Sequence, residues 1–308
     1  MKVAVVGARG HIGSFLVSKL VRDGHEVFAV SRSDRKPYAY DPKIWDKVNS
    51  VFMSREELIA SDFFDTVKAD AVCDLVSFNV GECEAMIEKL THGEFYVQIG
   101  SIWTYENKKY LPVDENHPKN SVEEYGKNKG IIEEYIKSLV KSGKLRGAVV
   151  HPGHISSGEW MPINPQGNLD KDVFMKIRDG QEVVLPFLGL ATLHHVHSAD
   201  LANVIAACAE NHDKANGEAF ISVAPTAMTM RAITEELFEY FGHKPNIRYV
   251  SWKDFVAEVG EQNAAVSMDH ISHSPCCTAA KAEKVLGVRH EKTIMDIYKE
   301  YLNGAFLR

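Results

Sequence analysis

The feature that most constrains this chain is an alternation in its first half between short apolar runs and segments of helical period. The apolar runs are rich in β-branched residues and lie at 3–6, 27–30, 48–53, 71–76, 95–99 and 148–150. The helical segments between them cover 12–22, 54–67, 81–90 and 122–141. Strands that are apolar on both faces and separated by helices are typical of a parallel sheet with helices on both sides. We therefore predict an α/β fold with a doubly wound parallel sheet.

The texture of the sequence changes after Pro152. Residues 151–168 hold three prolines and three glycines in 18 positions, which is too many for regular structure and favours a binding loop. Helical patterns then recur at 171–178, 200–210, 230–241, 252–259, 279–286 and 293–302, with strand-like pieces at 182–185, 219–223 and 247–250. We predict one domain at 1–155, to which a segment near 195–225 returns, and a smaller mixed lobe at 156–308.

Composition excludes some classes of partner. The net charge is −7, and the densest basic stretch, at 31–36, is short and is interrupted by an aspartate, which disfavours nucleic acid as the main partner. No apolar run reaches the roughly 20 residues of a membrane span, and no leader precedes the first strand. Five cysteines without a CxxC pair indicate ordinary thiols in a reducing compartment. These features predict a cytoplasmic protein.

Three glycines, Gly7, Gly10 and Gly13, stand between the first strand and the first helix, in the stretch GARGHIG. In a nucleotide-binding βαβ unit such glycines make the turn, admit the pyrophosphate and let helix and strand pack closely. His11 and Ile12 would begin a helix whose N-terminus favours negative charge. We therefore predict that residues 1–155 bind a dinucleotide; a plain glycine turn is the alternative.

The end of the second strand indicates which cofactor binds. An acidic residue there would select NAD, but this chain has Ser31 followed by Arg32, with Arg9 in the glycine loop and Arg35 nearby. Guanidinium groups suit a 2′-phosphate, so we predict NADP(H), with NAD possible. In the alternative, Arg32 and Arg35 belong to a solvated loop and Asp34 binds the ribose.

Tyr125 and Lys129 lie four residues apart on a helical pattern, so their side chains share one face. Ser101 lies upstream, after a strand, at the carboxyl edge of the sheet where open α/β folds bind ligands. Any one of the three has an ordinary structural explanation: a helix aromatic, a solvated lysine or a strand-end cap. Their order and context favour a catalytic group.

The stretches GARGHIG, IGSIWTY and YGKNK together resemble the extended short-chain dehydrogenase/reductase superfamily, in the branch of NAD-dependent epimerases and dehydratases. The similarity extends to HPGHISSG, to HHVHSADLANVI and to the segment that begins AEKVLG. It implies a Rossmann sheet with a C-terminal substrate lobe. It also implies an oxidoreductase or epimerase that transfers a hydride at a hydroxyl or carbonyl carbon of a sugar-like substrate.

The resemblance implies a role for each residue. Tyr125 would be the general acid or base, Lys129 would hold the nicotinamide ribose and lower the tyrosine pKa, and Ser101 would hydrogen-bond the reacting oxygen. Further cofactor contacts are expected from Leu75, Val76, Ser77, Pro152, His154 and Ile155. Substrate contacts are expected from Trp103, His154, Trp160 and Asn164, although packing or loop structure explains these four equally well.

The chain departs from the family where arginines hold a diphosphate. His151 and Leu193 stand at the two arginine positions, which weakens a nucleotide-diphosphate substrate; Arg178, Arg231 or Arg248 could substitute. The acidic residue that often meets adenine is missing as well. Backbone contacts or Arg55 are the substitutes we consider for it.

Three histidines, His194, His195 and His197, lie close enough together to raise the question of a metal site. No cysteine or carboxylate with ligand spacing joins them except Asp200, which we interpret as the N-cap of the following helix, so we predict no metal.

Two alternatives remain open for the function. One is a simple reductase of a small aldehyde, ketone or lactone, and the other is a dinucleotide-sensing or RNA-associated protein without catalysis. The resemblance suggests a homodimer through the helices at 81–90 and 122–141, whose apolar faces could equally serve the core.

Overall fold

The computed structural model describes residues 1–106 and 108–306. A seven-stranded sheet forms its centre, built from β1 (Lys2–Val6), β2 (Glu26–Ser31), β3 (Asn49–Phe52), β4 (Ala71–Asp74), β5 (Phe95–Ile99), β6 (Arg146–Pro152) and β11 (Ala219–Ser222). The strands run in the order β11-β6-β5-β4-β1-β2-β3, and every neighbouring pair is parallel.

The first half also contains α1 (His11–Arg22), α2 (Pro42–Trp45), α3 (Arg55–Ala60), α4 (Phe63–Val67), α5 (Val80–Ile87), a 3-10 turn (Ile102–Thr104) and α6 (Glu124–Lys141). The second half adds α7 (Asp172–Arg178), α8 (Ser198–Glu210), α9 (His212–Ala215), α10 (Met230–Tyr240), α11 (Trp252–Val259), α12 (Glu261–His273), α13 (Ala280–Leu286), α14 (Ile294–Tyr301) and a π-helical turn (Leu302–Phe306). Its short strands are β7 (His154–Ser156), β8 (Val183–Pro186), β9 (Thr192–Leu193), β10 (His195–His197), β12 (Met228–Thr229) and β13 (Ile247–Val250).

Helices cover both faces of the sheet. Leu16 of α1 and Leu201 of α8 belong to the core on one face, while Met86 of α5 and Ile132 of α6 belong to the core on the other. All four side chains are fully buried. The prediction of a doubly wound parallel sheet is therefore confirmed, and its near-continuous apolar strands follow from burial on both sides.

The order of the strands places a crevice at the carboxyl edge between β1 and β4, because the winding of the chain reverses there. The glycine loop follows β1 at this point. Gly7 has a φ of +88°, and a Cβ at Gly13 would collide with the carbonyl oxygen of Gly7. The close packing of α1 on β1 therefore requires glycine at position 13, as the sequence predicts.

A smaller hydrophobic cluster lies in the second half, with Phe174, Leu193, Leu237 and Tyr298 at its centre. The pairs β8 with β13, β9 with β12 and β7 with β10 lie outside the central sheet. The strand β11 returns to the central sheet and pairs with β6. The domain boundary near residue 155 stays a prediction. Within the described residues, no helix is both long and apolar enough to cross a membrane.

Three local predictions were wrong or incomplete. The segment 54–67 is two helices, because Ser54 forms a capping box with Glu57 and the first helix already ends at Ala60. Asp200 is not the N-cap of α8: His197 caps it by accepting a hydrogen bond from the Ala199 amide, and Asp200 accepts hydrogen bonds from the amides of residues 291 and 292. The helix α12 was not predicted at all.

Candidate active site

A cavity of about 400 Å³ opens at the carboxyl edge of the sheet. Five of the predicted cofactor residues line it: Gly7, Arg9, Gly10, Arg32 and Val76. The loops after β1, β2 and β4 bring them together. This is the crevice at which open α/β sheets bind ligands.

The start of α1 fits an anionic group. Its N-cap, Gly10, contributes no side-chain hydrogen bond, and no acidic residue occupies the first turn. A Cβ at Gly10 would stand only 3.1 Å from the Gly7 carbonyl oxygen, so the tight turn of the loop favours glycine at this position. The amides of a helix N-terminus together with the helix dipole favour a pyrophosphate at such a place.

Four arginines line the cavity, and Arg9, Arg32 and Arg35 of these differ in what they contact. The side chains of Arg32 and Arg35 are exposed, and Arg32 makes no hydrogen bond or ion pair with any described residue. Arg9 instead donates to the carbonyl oxygens of Asp34 (3.3 Å) and Arg35 (2.9 Å) and to Ser50 Oγ (3.2 Å). Arg9 therefore holds the loop that carries the other two arginines.

A buried ion pair joins Arg55 to Asp74 at the end of β4, with Nη2 to Oδ2 at 2.9 Å. Arg55 also donates to Ser77 Oγ (2.6 Å), and Tyr96 donates to Asp74 (2.9 Å). Burial alone would raise the pKa of Asp74, but Arg55 holds it below its ordinary value. The guanidinium that we considered for adenine is thus committed to Asp74. The network was not predicted, although an aspartate at the end of the apolar strand AVCD was the signal.

Ser101, Tyr125 and Lys129 come together from β5 and α6. The side chains of Ser101 and Tyr125 are hydrogen-bonded, and Ser101 Oγ accepts from the Trp103 amide at 3.2 Å. The Tyr125 ring is 39% exposed, while its hydroxyl end meets Ser101. Burial raises the pKa of Tyr125, and the bond from Ser101 opposes this rise.

Lys129 is buried beneath this pair. Its ammonium donates to the carbonyl oxygens of Ser77 (2.6 Å) and Ile99 (2.8 Å) and lies 5.8 Å from the centre of the Tyr125 ring. Burial lowers the pKa of Lys129 to about 8, against the opposing charges of Asp74 and Glu82. Ser77 thus contributes its carbonyl oxygen to Lys129 and its hydroxyl to Asp74. Leu75 is buried beside it and donates its amide to Val6.

His151 occupies one of the two positions where the family has arginine. Its Nε2 lies 2.6 Å from Glu133 Oε2, and its Nδ1 accepts from the Ser101 amide at 3.0 Å. Both side chains are fully buried, and Lys119 and Lys137 also contact Glu133. His151 therefore positions Ser101 from behind, a relation that the sequence did not reveal. Leu193, at the other arginine position, is fully buried in the smaller hydrophobic cluster.

The four predicted substrate residues separate into three places. Trp103 and His154 meet beside Tyr125: the indole Nε1 donates to His154 Nε2 at 3.3 Å, and the Trp103 and Tyr125 rings meet edge to face at 6.1 Å. Trp160 stacks on His11 at 4.7 Å, at the start of α1. Asn164 is fully buried and hydrogen-bonds Asn168 and the carbonyl of residue 170 within its own loop.

The remaining predicted cofactor residues lie around the same edge. Pro152 is buried at the end of β6, and Ile155 of β7 packs against the larger core. Ile12 packs against that core as well. His11 Nε2 meets the hydroxyls of Ser157 (2.9 Å) and Ser198 (2.8 Å), which ties the start of α1 to the loop after Pro152 and to α8.

A metal site has no support in the part of the chain that the structure describes, where no three side chains of His, Cys, Asp or Glu converge as ligands. His194 instead contacts the carbonyl of residue 224 and accepts from the amide of residue 277. His197 pairs with Glu300 at 3.0 Å.

Comparisons with known proteins agree with this architecture. The chloroplast stem-loop binding protein of 41 kDa b from Arabidopsis thaliana is 24% identical over 318 residues, covering 100% of this chain and 80% of that protein. A UDP-glucose 4-epimerase from Lactobacillus helveticus is 27% identical over 167 residues, 47% of this chain and 49% of that enzyme.

A solved structure shows the same fold over the whole chain. It is the UDP-glucose 4-epimerase of Stenotrophomonas maltophila with bound NAD and formylated UDP-arabinopyranose, with a TM-score of 0.76 and 17% identity, covering 100% of this chain and 98% of that one. The sequence pattern of the NAD dependent epimerase/dehydratase family matches residues 3–92 and 83–223. The chain therefore belongs to the NAD dependent epimerase/dehydratase family, a family of NAD-dependent enzymes.

Proposed function

We propose that this protein is an NADP(H)-dependent oxidoreductase or epimerase that transfers a hydride at a hydroxyl or carbonyl carbon of a sugar-like substrate. One observation carries the proposal. The hydrogen-bonded pair of Ser101 and Tyr125 stands above the buried ammonium of Lys129, at the edge of the sheet where the glycine loop begins α1.

The residues of the cavity suit a dinucleotide. The start of α1, with Gly7, Gly10 and Gly13, would hold the pyrophosphate, and Val76 and Lys129 would hold the parts nearer the reacting end. When bound, the nicotinamide supplies or accepts the hydride. The preference for NADP rests on Arg32 and Arg35, whose exposed guanidinium groups could form charge-assisted hydrogen bonds with a 2′-phosphate.

Tyr125 would move the proton that accompanies the hydride. In reduction, the phenol O–H breaks and its proton passes to the substrate carbonyl oxygen while the hydride reaches the carbon; in oxidation both transfers reverse. Ser101 would donate a hydrogen bond to the same oxygen and stabilise its developing charge. Burial raises the pKa of Tyr125, which is consistent with its proposed role as the proton donor of the reductive step.

The substrate class follows from two lines of support. Several similar proteins are named UDP-glucose 4-epimerases, which supports a sugar-like substrate. His151 and Leu193 carry no free positive charge at the site, which favours the narrower possibility of a simple reductase acting on a small aldehyde, ketone or lactone.

A second candidate function comes from the relative that spans the whole chain and is named a stem-loop binding protein. It would make this chain an RNA-associated protein that keeps the dinucleotide fold. The net charge of −7 opposes this function, because RNA binding relies on neutralising phosphates.

Titration separates the two functions. We expect the protein to bind NADPH at micromolar concentration, measured by quenching of its tryptophan fluorescence, and to oxidise it with a carbonyl from a panel of sugars, lactones and small aldehydes. Loss of absorbance of the reduced nicotinamide reports turnover. The proposal would be contradicted if neither NADPH nor NADH binds. Retardation of a stem-loop RNA at physiological salt, without turnover, would support the second candidate.

A further inference from the structure

Four histidines surround Trp103 beside Tyr125, and we call His154, His195, His270 and His273 the histidine cluster. The His273 ring stacks on the indole at 4.2 Å, and the His270 ring meets its edge at 5.5 Å. His154 lies 4.8 Å from His270 and 5.5 Å from His195. The parallel pairing of β7 with β10 puts His154 directly opposite His195.

The hydrogen bonds of the cluster determine where the ring protons sit. Trp103 donates to His154 Nε2, so the proton of the neutral His154 ring is on Nδ1. The amide of residue 163 donates to His195 Nε2 at 3.2 Å, which likewise places the His195 proton on Nδ1. His273 Nδ1 donates to the carbonyl of residue 269 at 2.7 Å, so its Nε2 is an acceptor in the neutral ring.

These three remaining nitrogens have no partner among the described residues: His154 Nδ1, His195 Nδ1 and His273 Nε2. His195 is fully buried and His273 is only 5% exposed. A buried polar atom without a hydrogen bond is costly and rare, so its presence needs an explanation. A ligand bound near the proposed proton donor would supply the partners that these three nitrogens lack.

Burial affects two rings of the histidine cluster most, those of His154 and His195. Both rings are uncharged at neutral pH. Burial and the neighbouring rings hold the pKa of His154 well below its ordinary value and lower that of His195 to about 3. The ammonium of Lys108 lies beside His273 but donates to the His273 carbonyl oxygen.

The arginines that could have supplied positive charge are engaged elsewhere. Arg178 pairs with Asp179, Arg231 with Glu235, and Arg248 with Glu182 and Glu258. A diphosphate needs cations in a desolvated site, whereas hydroxyl and carbonyl groups need only neutral donors and acceptors.

We infer that three members of the histidine cluster, His154, His195 and His273, bind an uncharged polyhydroxy or hydroxycarbonyl group, a free sugar or sugar lactone, and not a sugar attached to a nucleoside diphosphate. The inference rests on the proposed function, because it assigns the substrate class of the same site. It makes His154, His195 and His273 specificity-determining residues.

Calorimetric titration of the protein saturated with NADP⁺ tests the substrate class. The probes are D-glucose, D-galactose and D-glucono-1,5-lactone, compared with UDP-glucose and UDP-galactose at fixed ionic strength. We expect at least one uncharged probe to bind tenfold or more tightly than either UDP-sugar. Equal or tighter binding of a UDP-sugar would overturn the inference and leave the proposed function standing, as would binding of no uncharged probe at millimolar concentration. Failure of NADP⁺ itself to bind would overturn both.

Two variants on α12 test the cluster. His273→Phe keeps a ring against Trp103 but removes the free acceptor, and we expect the affinity for the uncharged probe to fall about five- to thirtyfold. His270→Phe is the matched control, because it also loses one ring-to-carbonyl hydrogen bond within the helix but removes none of the three unpartnered nitrogens. We expect less than a threefold loss in the control and unchanged NADP⁺ affinity in both.

A further variant keeps the test independent of α12. His195→Leu removes one donor from β10. It should lower the affinity for the uncharged probe by a similar factor, while the affinity for NADP⁺ is retained. Equal losses in His273→Phe and His270→Phe, or no loss in either His273→Phe or His195→Leu, would overturn the assignment of the histidine cluster.

Discussion

The two ends of the proposed site differ in their electrostatics. At the cofactor end, Arg32 and Arg35 stand in solvent beside a helix N-terminus, so positive potential faces an open cavity. At the proposed substrate end, the unpartnered nitrogens of His154, His195 and His273 are buried, and burial lowers the pKa of the first two rings. An anion can be attracted to the first end and would be costly to desolvate at the second. Under the proposed function, the exposed positive charge of the site would serve the cofactor and not the substrate.

The largest effect is expected where the two ends meet, at Tyr125. Tyr125→Phe should lower turnover about 10²- to 10⁴-fold, because it removes the proton donor while leaving the cavity intact. NADPH affinity, measured by fluorescence titration, should stay within a factor of two. Tyr135→Phe, which changes another tyrosine of α6, is the control and should keep full turnover. Normal turnover by Tyr125→Phe would exclude this residue as the acid or base.

The next effect concerns stability beneath the cofactor end. Asp74→Asn should lower the free energy of unfolding by about 3–5 kcal/mol, because it leaves the Arg55 guanidinium buried without its carboxylate. Glu258→Gln breaks the exposed pair with Arg248 and should cost no more than about 1 kcal/mol. Urea denaturation measures both. Similar losses in the two variants would show that burial of the Asp74 pair contributes nothing beyond a surface contact.

Cofactor preference tests the positive side of the contrast directly. Arg32→Asp should lower the affinity for NADPH about tenfold to a hundredfold, because a charge-assisted hydrogen bond is replaced by repulsion. The affinity for NADH should stay unchanged or rise. Arg248→Asp makes the same change of charge away from the cavity and should leave the NADPH to NADH ratio of dissociation constants unchanged. A constant ratio in Arg32→Asp would remove Arg32 from the 2′-phosphate site.

The smallest expected effect is on pH dependence. Because the pKa of Lys129 is lowered to about 8, its ammonium is charged below that pH and neutral above it, so cofactor affinity should fall severalfold as pH rises from 7 to 9.5. Lys129→Met should show weaker binding without this fall, since the titrating group is gone. Titrations at constant ionic strength give both curves, and a parallel fall in the variant would assign the titration to another group.

The lowered pKa of Lys129 also predicts the direction in which the stability of the fold changes with pH. The unfolded chain keeps the Lys129 proton to about pH 10.5, whereas the folded protein releases it near pH 8. The unfolded state therefore binds more protons between these values, and this group should make the fold more stable as pH rises through that window. Comparison of thermal midpoints of the natural protein and Lys129→Met isolates the contribution.

The sequence predicted the larger part of the fold because its signals are local. Apolar runs and glycine positions are decided by burial and close packing, so the strands of the central sheet could be inferred from them. The family was inferred from the motifs GARGHIG, IGSIWTY and YGKNK, whereas the order of the strands was not predicted. The helix α12 escaped prediction because its apolar and polar residues are poorly separated around it, and its conformation depends on contacts with Trp103 and the smaller lobe.

The site was harder to predict because its partners are distant in sequence. Arg9 belongs to the glycine loop and so was predicted to touch the cofactor, but the sequence cannot show that its guanidinium holds the neighbouring loop. His151, Glu133 and the histidine cluster are joined only by the packing of separate elements. The roles of Ser101, Tyr125 and Lys129, the NADP preference and the homodimer through α5 and α6 stay predictions.

His11 links the start of α1 to the loop after Pro152, and this link bears on the binding of the proposed cofactor and substrate. This imidazole, whose pKa burial lowers to about 3, holds Ser157 and Ser198 through one nitrogen and carries Trp160 on its face. An outward movement of the loop after Pro152 would break the contacts that the neutral His11 ring makes at the start of α1. His11 therefore couples the loop after Pro152 to the start of α1, and we expect substitutions in this loop to change cofactor affinity as well.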